Sequence, residues 1–229
     1  MSALIFMKIT TSRAGSRRPR KRRPRKRDEN KEKTRQAILK AALELFSRKG
    51  FQVTTTKEIS KKAGIAEGTL FNYFRTKEDL ALYFLEQEVL LLIRWFEGEE
   101  RLRRASLAER LFAIIHHLLE RIEPYEDFIG AVYLRALQPS SKLCPLSLER
   151  QELNVRYLRF VRGVLAEAET KGEIPHVGDL GSYGFALFHL AMITHWLQDR
   201  SSGKQETLGL LDRCLKLGTA IVAKGGWEW

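Results

Sequence analysis

The chain has 229 residues, an apolar fraction of 44% and a formal net charge of +12 at neutral pH. This length and composition suffice for one or two packed domains, and they exclude a chain that is disordered throughout. No apolar run approaches the roughly 18 residues that a membrane-spanning helix needs, so we expect a cytoplasmic protein with no membrane partner.

The positive charge is concentrated near the N-terminus. Residues 1–33 hold 13 Lys and Arg against three acidic residues, whereas residues 81–229 hold 18 against 20. The stretch from Ser12 to Lys33 has no aliphatic side chain larger than alanine, so it cannot bury enough surface to offset the entropy cost of ordering. The sequence predicts a disordered basic arm over residues 1–29, which either contacts nucleic acid or serves only as a solubilising tail.

The first predicted helix begins near Asn30. Apolar residues recur at helical spacing as far as Phe46, and Gly50 provides a stop. A second, short helix follows, because Thr55 and Glu58 have the spacing of a capping box.

The remaining segments are also helical in pattern. A third short helix carries Glu67 to Tyr73 after the turn Ala63-Gly64-Ile65, and Thr76 caps a long apolar fourth helix that ends near Phe96. Further helices are predicted over residues 107–122, 125–137, 146–169, 180–198 and 206–222. With no alternating pattern typical of a strand, the predicted fold class is all-α, with about nine helices.

The second and third helices have the layout of a helix-turn-helix, whose second helix enters the major groove of DNA. Basic side chains surround the pair, together with the hydrogen-bonding residues Thr69, Asn72 and Tyr73. This mixture suits phosphate contacts combined with reading of base edges.

The stretch TRQAILKAALELFSRKGFQVTTTKEISKKAGIAEGTLFNYFRTKEDL resembles the DNA-binding domain of the TetR/AcrR family of repressors. The resemblance implies a helix-turn-helix DNA-binding domain over residues 30–78 and a helical ligand-binding and dimerisation domain over residues 79–229. It also implies DNA-contacting positions: Glu67 and Thr69 at the bases, Asn72 and Tyr73 at phosphates or the groove edge, Thr55 and Lys77 as backbone anchors, and Gly68 for close approach. Thr55 and Glu67 have an alternative, purely local role at their helix starts. Ala66 and Phe71 depart from the family pattern, since serine and tyrosine are usual there.

Two sets of body residues are candidates for dimerisation and ligand binding. A heptad-like stripe in the last helix comprises Leu208, Leu211, Leu215, Gly218 and Val222; it fits the homodimer that the resemblance implies, or alternatively an internal core. A candidate pocket for a hydrophobic or aromatic inducer comprises Trp95, His116, Phe128, Tyr133 and His189. Ordinary core packing is the alternative for each of the five.

Motifs of catalysis are missing from the sequence. There is no H-E-x-x-H, no phosphate-binding glycine loop and no G-x-S-x-G, and Cys144 and Cys214 lack metal-ligand spacing. We therefore predict no enzyme activity, no cofactor and no metal site. The predicted function is a ligand-responsive transcriptional regulator, a repressor that binds a palindromic operator as a homodimer and is released by a small hydrophobic or aromatic inducer, with activation as an alternative. The alternative is a non-specific architectural protein that coats nucleic acid through the basic arm.

Overall fold

The structure is a computed structural model that describes residues 26–145, 147 and 150–224. Within these residues the secondary structure consists of nine α-helices with short 3₁₀ turns, and no β-strand occurs. The all-α prediction is therefore confirmed. The helices are α1 (Lys26–Lys49), α2 (Thr56–Lys62), α3 (Glu67–Phe71), α4 (Lys77–Gly98), α5 (Leu107–Ile122), α6 (Glu126–Ala136), α7 (Gln151–Thr170), α8 (Gly178–Gln198) and α9 (Gln205–Ala223).

Helix α1 begins four residues earlier than the sequence predicts. Lys26 is already helical, and Asp28 and Glu29 occupy the first turn, where carboxylates favour the positive end of the helix dipole. One turn further on, the Tyr83 hydroxyl of α4 donates a hydrogen bond to Glu32. The predicted arm must therefore be corrected over residues 26–29, which are helical; residues 1–25 lie outside the described part of the chain.

Three helices begin at capping boxes, a motif whose residue types and spacing are present in the sequence. Thr55, Thr76 and Ser106 are the N-caps of α2, α4 and α5, and each exchanges hydrogen bonds with an acidic residue three positions later. Because these bonds are local, they favour the starts of the three helices directly, and Lys142 adds a distant contact by donating to Asp79 at 2.8 Å.

An aromatic cluster joins the first helices to the rest of the chain. Phe128 of α6 stacks on Phe46 of α1, with ring centroids 5.0 Å apart. It also packs against Phe51 at 5.7 Å and against Phe84 of α4 at 5.5 Å. Phe128 is only 1% exposed. Its position corrects the predicted ligand-pocket role, since the ring is enclosed by other aromatic rings of the core.

The body packs α5, α7, α8 and α9 against one another, with α4 on α5 and α7. A buried ion pair locks one end of it: Arg110 of α5 is 1% exposed and binds Glu173, which follows α7. The second carboxylate oxygen of Glu173 accepts the backbone N–H of Leu107 at 2.6 Å. Glu173 thus pairs with one nitrogen of the buried guanidinium and accepts a backbone N–H from the first turn of α5, while Arg110 Nη1 lies 3.5 Å from Glu167 Oε1. No helix in the described part of the chain is long and apolar enough to cross a membrane.

Candidate nucleic-acid interface

The turn between α2 and α3 holds the two short helices at a fixed angle. Gly64 has φ +70°, a left-handed conformation that glycine adopts without strain. The backbone N–H of Ile65 donates to the carbonyl of Ser60 at 3.0 Å. Ile59 of α2 and Leu70 of α3 are both 0% exposed and anchor the pair to the core. The opposite face of α3 is consequently turned outward.

The outward face of α3 carries the predicted base-reading positions. Gly68 and Asn72 are exposed, and Thr69 and Tyr73 are half-buried. In the described residues no hydrogen bond from another protein group reaches the side chains of Thr69 and Asn72. A Cβ placed on Gly68 would meet no atom within 4 Å. Packing within the described part of the chain therefore does not require glycine there, and the close approach of DNA at Gly68 stays a prediction.

Thr55 and Glu67 make contacts within the protein. Thr55 accepts the backbone N–H of Glu58 at 3.2 Å, and Thr56 donates to a carboxylate oxygen of Glu67 at 2.8 Å. Lys49 binds Glu58, and this bond, together with the backbone N–H of Thr55, lowers the pKa of Glu58 to about 2. The local alternatives for Thr55 and Glu67 are thus present in the structure, and their DNA contacts stay predictions.

Lys77 is engaged at the first turn of α4. Its Nζ donates to the carbonyls of Phe51 at 2.7 Å and Gln52 at 2.9 Å, and lies 5.0 Å from the centroid of the Phe51 ring. Burial lowers the pKa of Lys77, with a smaller contribution from Arg135. Lys77 therefore ties the loop after α1 to α4. A phosphate contact by its side chain would compete with these bonds and stays a prediction.

Two apolar residues at this surface, Phe71 and Val53, were given no DNA contact by the sequence analysis. Phe71 at the end of α3 is 45% exposed, and Val53 in the loop before α2 is 64% exposed. The signal for Phe71 was its position next to buried Leu70, which turns it about 100° away from the core in a helix. Exposed apolar groups beside a reading helix suit contact with thymine methyl groups.

The comparison with known families bears directly on this region. The profile described as "Bacterial regulatory proteins, tetR family" matches residues 38–84, which run from the middle of α1 to the first turns of α4. The segment from residue 38 to residue 84 is thus a helix-turn-helix region of the TetR type. This match, together with relatives that are named as regulators, favours the regulator interpretation over a non-specific architectural protein.

Curated relatives are similar to this chain over more residues than the profile matches. The Fatty acid metabolism regulator protein of Bacillus subtilis is 27% identical over 140 residues, covering 60% of this chain and 69% of that protein. The HTH-type transcriptional regulator YvkB of Bacillus subtilis is 44% identical over 96 residues, covering 42% of this chain and about half (49%) of that protein.

Solved TetR-family structures share the fold of nearly the whole described chain. FadR of Bacillus subtilis, solved in complex with stearoyl-CoA, superposes with a TM-score of 0.60 and 24% identity over 79% of this chain and 96% of that chain. FadR of Thermus thermophilus, solved in complex with lauroyl-CoA, superposes with a TM-score of 0.62 and 24% identity, over 80% of this chain and 93% of that chain. At this identity the likeness establishes the fold alone.

The body of the protein contains an apolar cavity of about 380 Å³ between α5, α7, α8 and α9. Its lining is almost wholly apolar, with Cys214 and Thr219 as the polar side chains. The apolar residues that line the cavity include Leu107, Leu111, Leu165, Ile174, Phe185, Phe188, Gly218 and Val222.

The five predicted ligand residues do not line this cavity. Trp95 stacks on His117 with ring centroids 3.7 Å apart, and His116 lies near Glu120 on the surface of α5. The Tyr133 hydroxyl lies 2.6 Å from Thr194 Oγ1, His189 is hydrogen-bonded to Tyr157, and Phe128 belongs to the aromatic cluster. The structure therefore distributes the five over separate contacts.

The predicted dimer stripe on α9 must be corrected at Leu211 and Leu215, while a dimer contact by Leu208, Gly218 and Val222 stays a prediction. Leu211 is 0% exposed and Leu215 is 6% exposed, because both pack inside the protomer. Gly218 and Val222 line the cavity, and Leu208 is half-buried. The exposed apolar side chains of α8 and α9 form a different set: Leu180, Tyr183 and Leu187, with Leu217 and Ile221. We call this set the α8–α9 face.

Proposed function

We propose that this chain is a repressor that binds a palindromic operator as a homodimer and is released by a ligand with a long apolar chain. The observation that carries the DNA-binding part is the outward face of α3 in a helix-turn-helix: Gly68 and Asn72 are exposed, and no hydrogen bond within the described residues engages the side chain of Thr69 or Asn72. Thr69 and Asn72 supply the hydrogen-bonding groups that read base edges, and Tyr73 supplies a hydroxyl at the groove edge.

The test of DNA reading is selection of bound duplexes from a randomised pool. We expect one palindromic sequence to be enriched. Replacing Thr69 or Asn72 by Ala should weaken binding to it by about 1–3 kcal/mol and relax the preference at one base position. Thr170→Ala, at an exposed threonine of α7, is the matched control. Uniform recovery of all duplexes would contradict the proposal and favour an architectural protein.

We propose that the α8–α9 face forms the dimer interface. Leu180, Tyr183 and Leu187 lie at helical spacing on α8 and are 56–78% exposed, and Leu217 and Ile221 continue the apolar surface on α9. Contiguous exposed apolar side chains of this size are typical of an interface. A two-fold dimer would present one recognition helix to each half-site.

The dimer proposal has a closely matched pair of variants. Leu187 on α8 and Leu134 on α6 are both 68% exposed, so a glutamate costs each site little within the protomer. We expect Leu187→Glu to produce monomers in analytical ultracentrifugation, and Leu134→Glu to remain dimeric. The opposite result would place the interface on α6.

We propose that the apolar cavity is the ligand site. Its volume lies at the lower end of the range of small-molecule pockets, and its lining offers almost no hydrogen-bonding groups, which favours an aliphatic chain over a polar metabolite. The FadR structures, solved with stearoyl-CoA and lauroyl-CoA, support an acyl thioester as the ligand.

The ligand signal would reach DNA through helix packing. The cavity is walled by α5 and α7, and both of these helices pack on α4, which starts at the end of the DNA-binding region. A ligand that separates α5 and α7 would shift α4 and change the spacing of the recognition helices in the dimer.

The test of the ligand site uses Cys214, a small residue of its lining. Lauroyl-CoA and stearoyl-CoA should release the selected duplex in fluorescence polarisation, and free coenzyme A should not. Cys214→Trp should abolish release by filling the cavity, while Cys214→Ala should retain it. Equal release from the Trp and Ala variants would contradict this location, and release by free coenzyme A would contradict recognition of the acyl chain.

A further inference from the structure

A second groove borders the recognition helix, on the side of α1. It has a volume of about 1010 Å³. One wall is formed by Thr69, Asn72 and Tyr73 of the α3 region, and the other by the first turns of α1, from Lys26 to Thr34. The wall on α1 lies in the first half of that helix, N-terminal to residue 38, where the family match begins.

The chemistry of the groove is that of an anion site with many donors. Lys26 and Lys31 contribute ammonium groups, Asn30 contributes an amide, and all three are exposed. Thr34 already donates its hydroxyl to the carbonyl of Asn30 at 3.0 Å. Asp28 is the acidic residue on this wall, so the two lysines leave it with a net positive charge.

We propose that this groove seats the sugar-phosphate backbone of one DNA strand, with Lys26 and Lys31 contacting phosphates while α3 reads the adjacent major groove. The proposal rests on the DNA-binding function of α3, since both walls must meet the same duplex. Lysines, amides and hydroxyls are the groups that proteins use for phosphate contacts, and the strand at the edge of a major groove lies next to the helix inserted there. Helix α1 is thus a positioning element in DNA recognition.

The salt dependence of binding measures phosphate contacts directly. Each contact contributes about −0.9 to the slope of log K against log salt concentration on duplex DNA. Two lysines in each subunit of a dimer make four such contacts, so the variant Lys26→Ala/Lys31→Ala should flatten the slope by roughly 2 to 4.

The matched control removes the same charge from the same helix. Lys33 and Lys40 are exposed residues of α1 that do not line the groove. Lys33→Ala/Lys40→Ala should change the slope much less than the groove variant does. Both double variants should keep the thermal midpoint of the wild type, because all four side chains are exposed.

The experiment measures binding of the selected duplex over a series of KCl concentrations, with ethylation interference as a second readout. We expect the groove variant alone to flatten the slope and to become tolerant of ethylation at specific backbone phosphates. An unchanged slope, or equal flattening in the control, would overturn the groove proposal while leaving specific operator binding intact. A wild type that does not discriminate the selected duplex from random DNA would instead contradict the proposed regulator function.

Discussion

Replacement of Phe128 by Ala tests whether the aromatic cluster couples the DNA-binding region to the body. The ring is 1% exposed and lies within 5.7 Å, centroid to centroid, of Phe46, Phe51 and Phe84. Loss of a buried phenyl group removes its transfer free energy and leaves a cavity, which together cost about 3–5 kcal/mol. For a chain of this size that loss lowers the melting temperature by roughly 6–20 °C.

The assay is urea unfolding followed by circular dichroism at one fixed protein concentration, since dimerisation makes stability concentration-dependent. Phe128→Leu is the control, because it keeps most of the apolar volume and should cost only about 1–1.5 kcal/mol. The double variant with Phe46→Ala should lose less than the sum of the single losses, because the two rings stack on each other.

The same variants separate this structural role from the ligand role that the sequence suggested. If Phe128 joins the two regions, the Ala variant loses stability while its remaining folded fraction binds lauroyl-CoA as the wild type does. A loss below about 1 kcal/mol, far under the range for a buried phenyl group, would refute the reasoning, as would a selective loss of lauroyl-CoA affinity.

Three further changes have directions that follow from the structure. Burial lowers the pKa of His189 to about 4, so the unfolded chain binds the proton first as the pH falls below about 6.5. Stability should be fully present above that pH and decline by roughly 3 kcal/mol towards pH 4; His189→Gln should remove this decline in pH-dependent melting. Glu173→Ala should destabilise by about 3–5 kcal/mol in urea unfolding, because it leaves Arg110 buried without its main partner. Replacing both residues by leucine should cost much less, and equal losses would contradict the ion-pair argument. Thr55→Ala should lose about 1 kcal/mol of stability and Thr55→Ser little; a drop in duplex affinity in the Ala variant alone, measured on fully folded protein, would add a phosphate contact to the capping role.

The DNA-binding region could be predicted closely because its signals are local. The capping boxes at Thr55 and Thr76 and the left-handed turn at Gly64 each depend on a few consecutive residues. The same locality explains why Ala66, which has no side-chain acceptor, leaves α3 without a cap. The exception was the start of α1, where Tyr83, distant in sequence, supports the first turns through Glu32.

In the body of the protein, the periodicity of apolar residues predicts the helices but not which surface covers each apolar side. The sequence established that α9 is amphipathic, and its apolar stripe was assigned to a partner subunit. Tertiary packing instead turns Leu211 and Leu215 onto α5 and leaves Leu217 and Ile221 exposed. Likewise, helical periodicity places Phe128 and His189 on the apolar faces of their helices but does not say what they contact. The fold decides that Phe128 stacks on Phe46 and that His189 is hydrogen-bonded to Tyr157.

The sequence by itself determined the fold class, the helix-turn-helix and the positions at which most helices begin, because capping, turn geometry and helical spacing are set by neighbouring residues. Only the tertiary structure decided which side of α9 is buried, where the cavity lies and that the first turns of α1 border the recognition helix. Those features arise where residues far apart in the chain meet, and an apolar stripe carries no information about which surface will cover it.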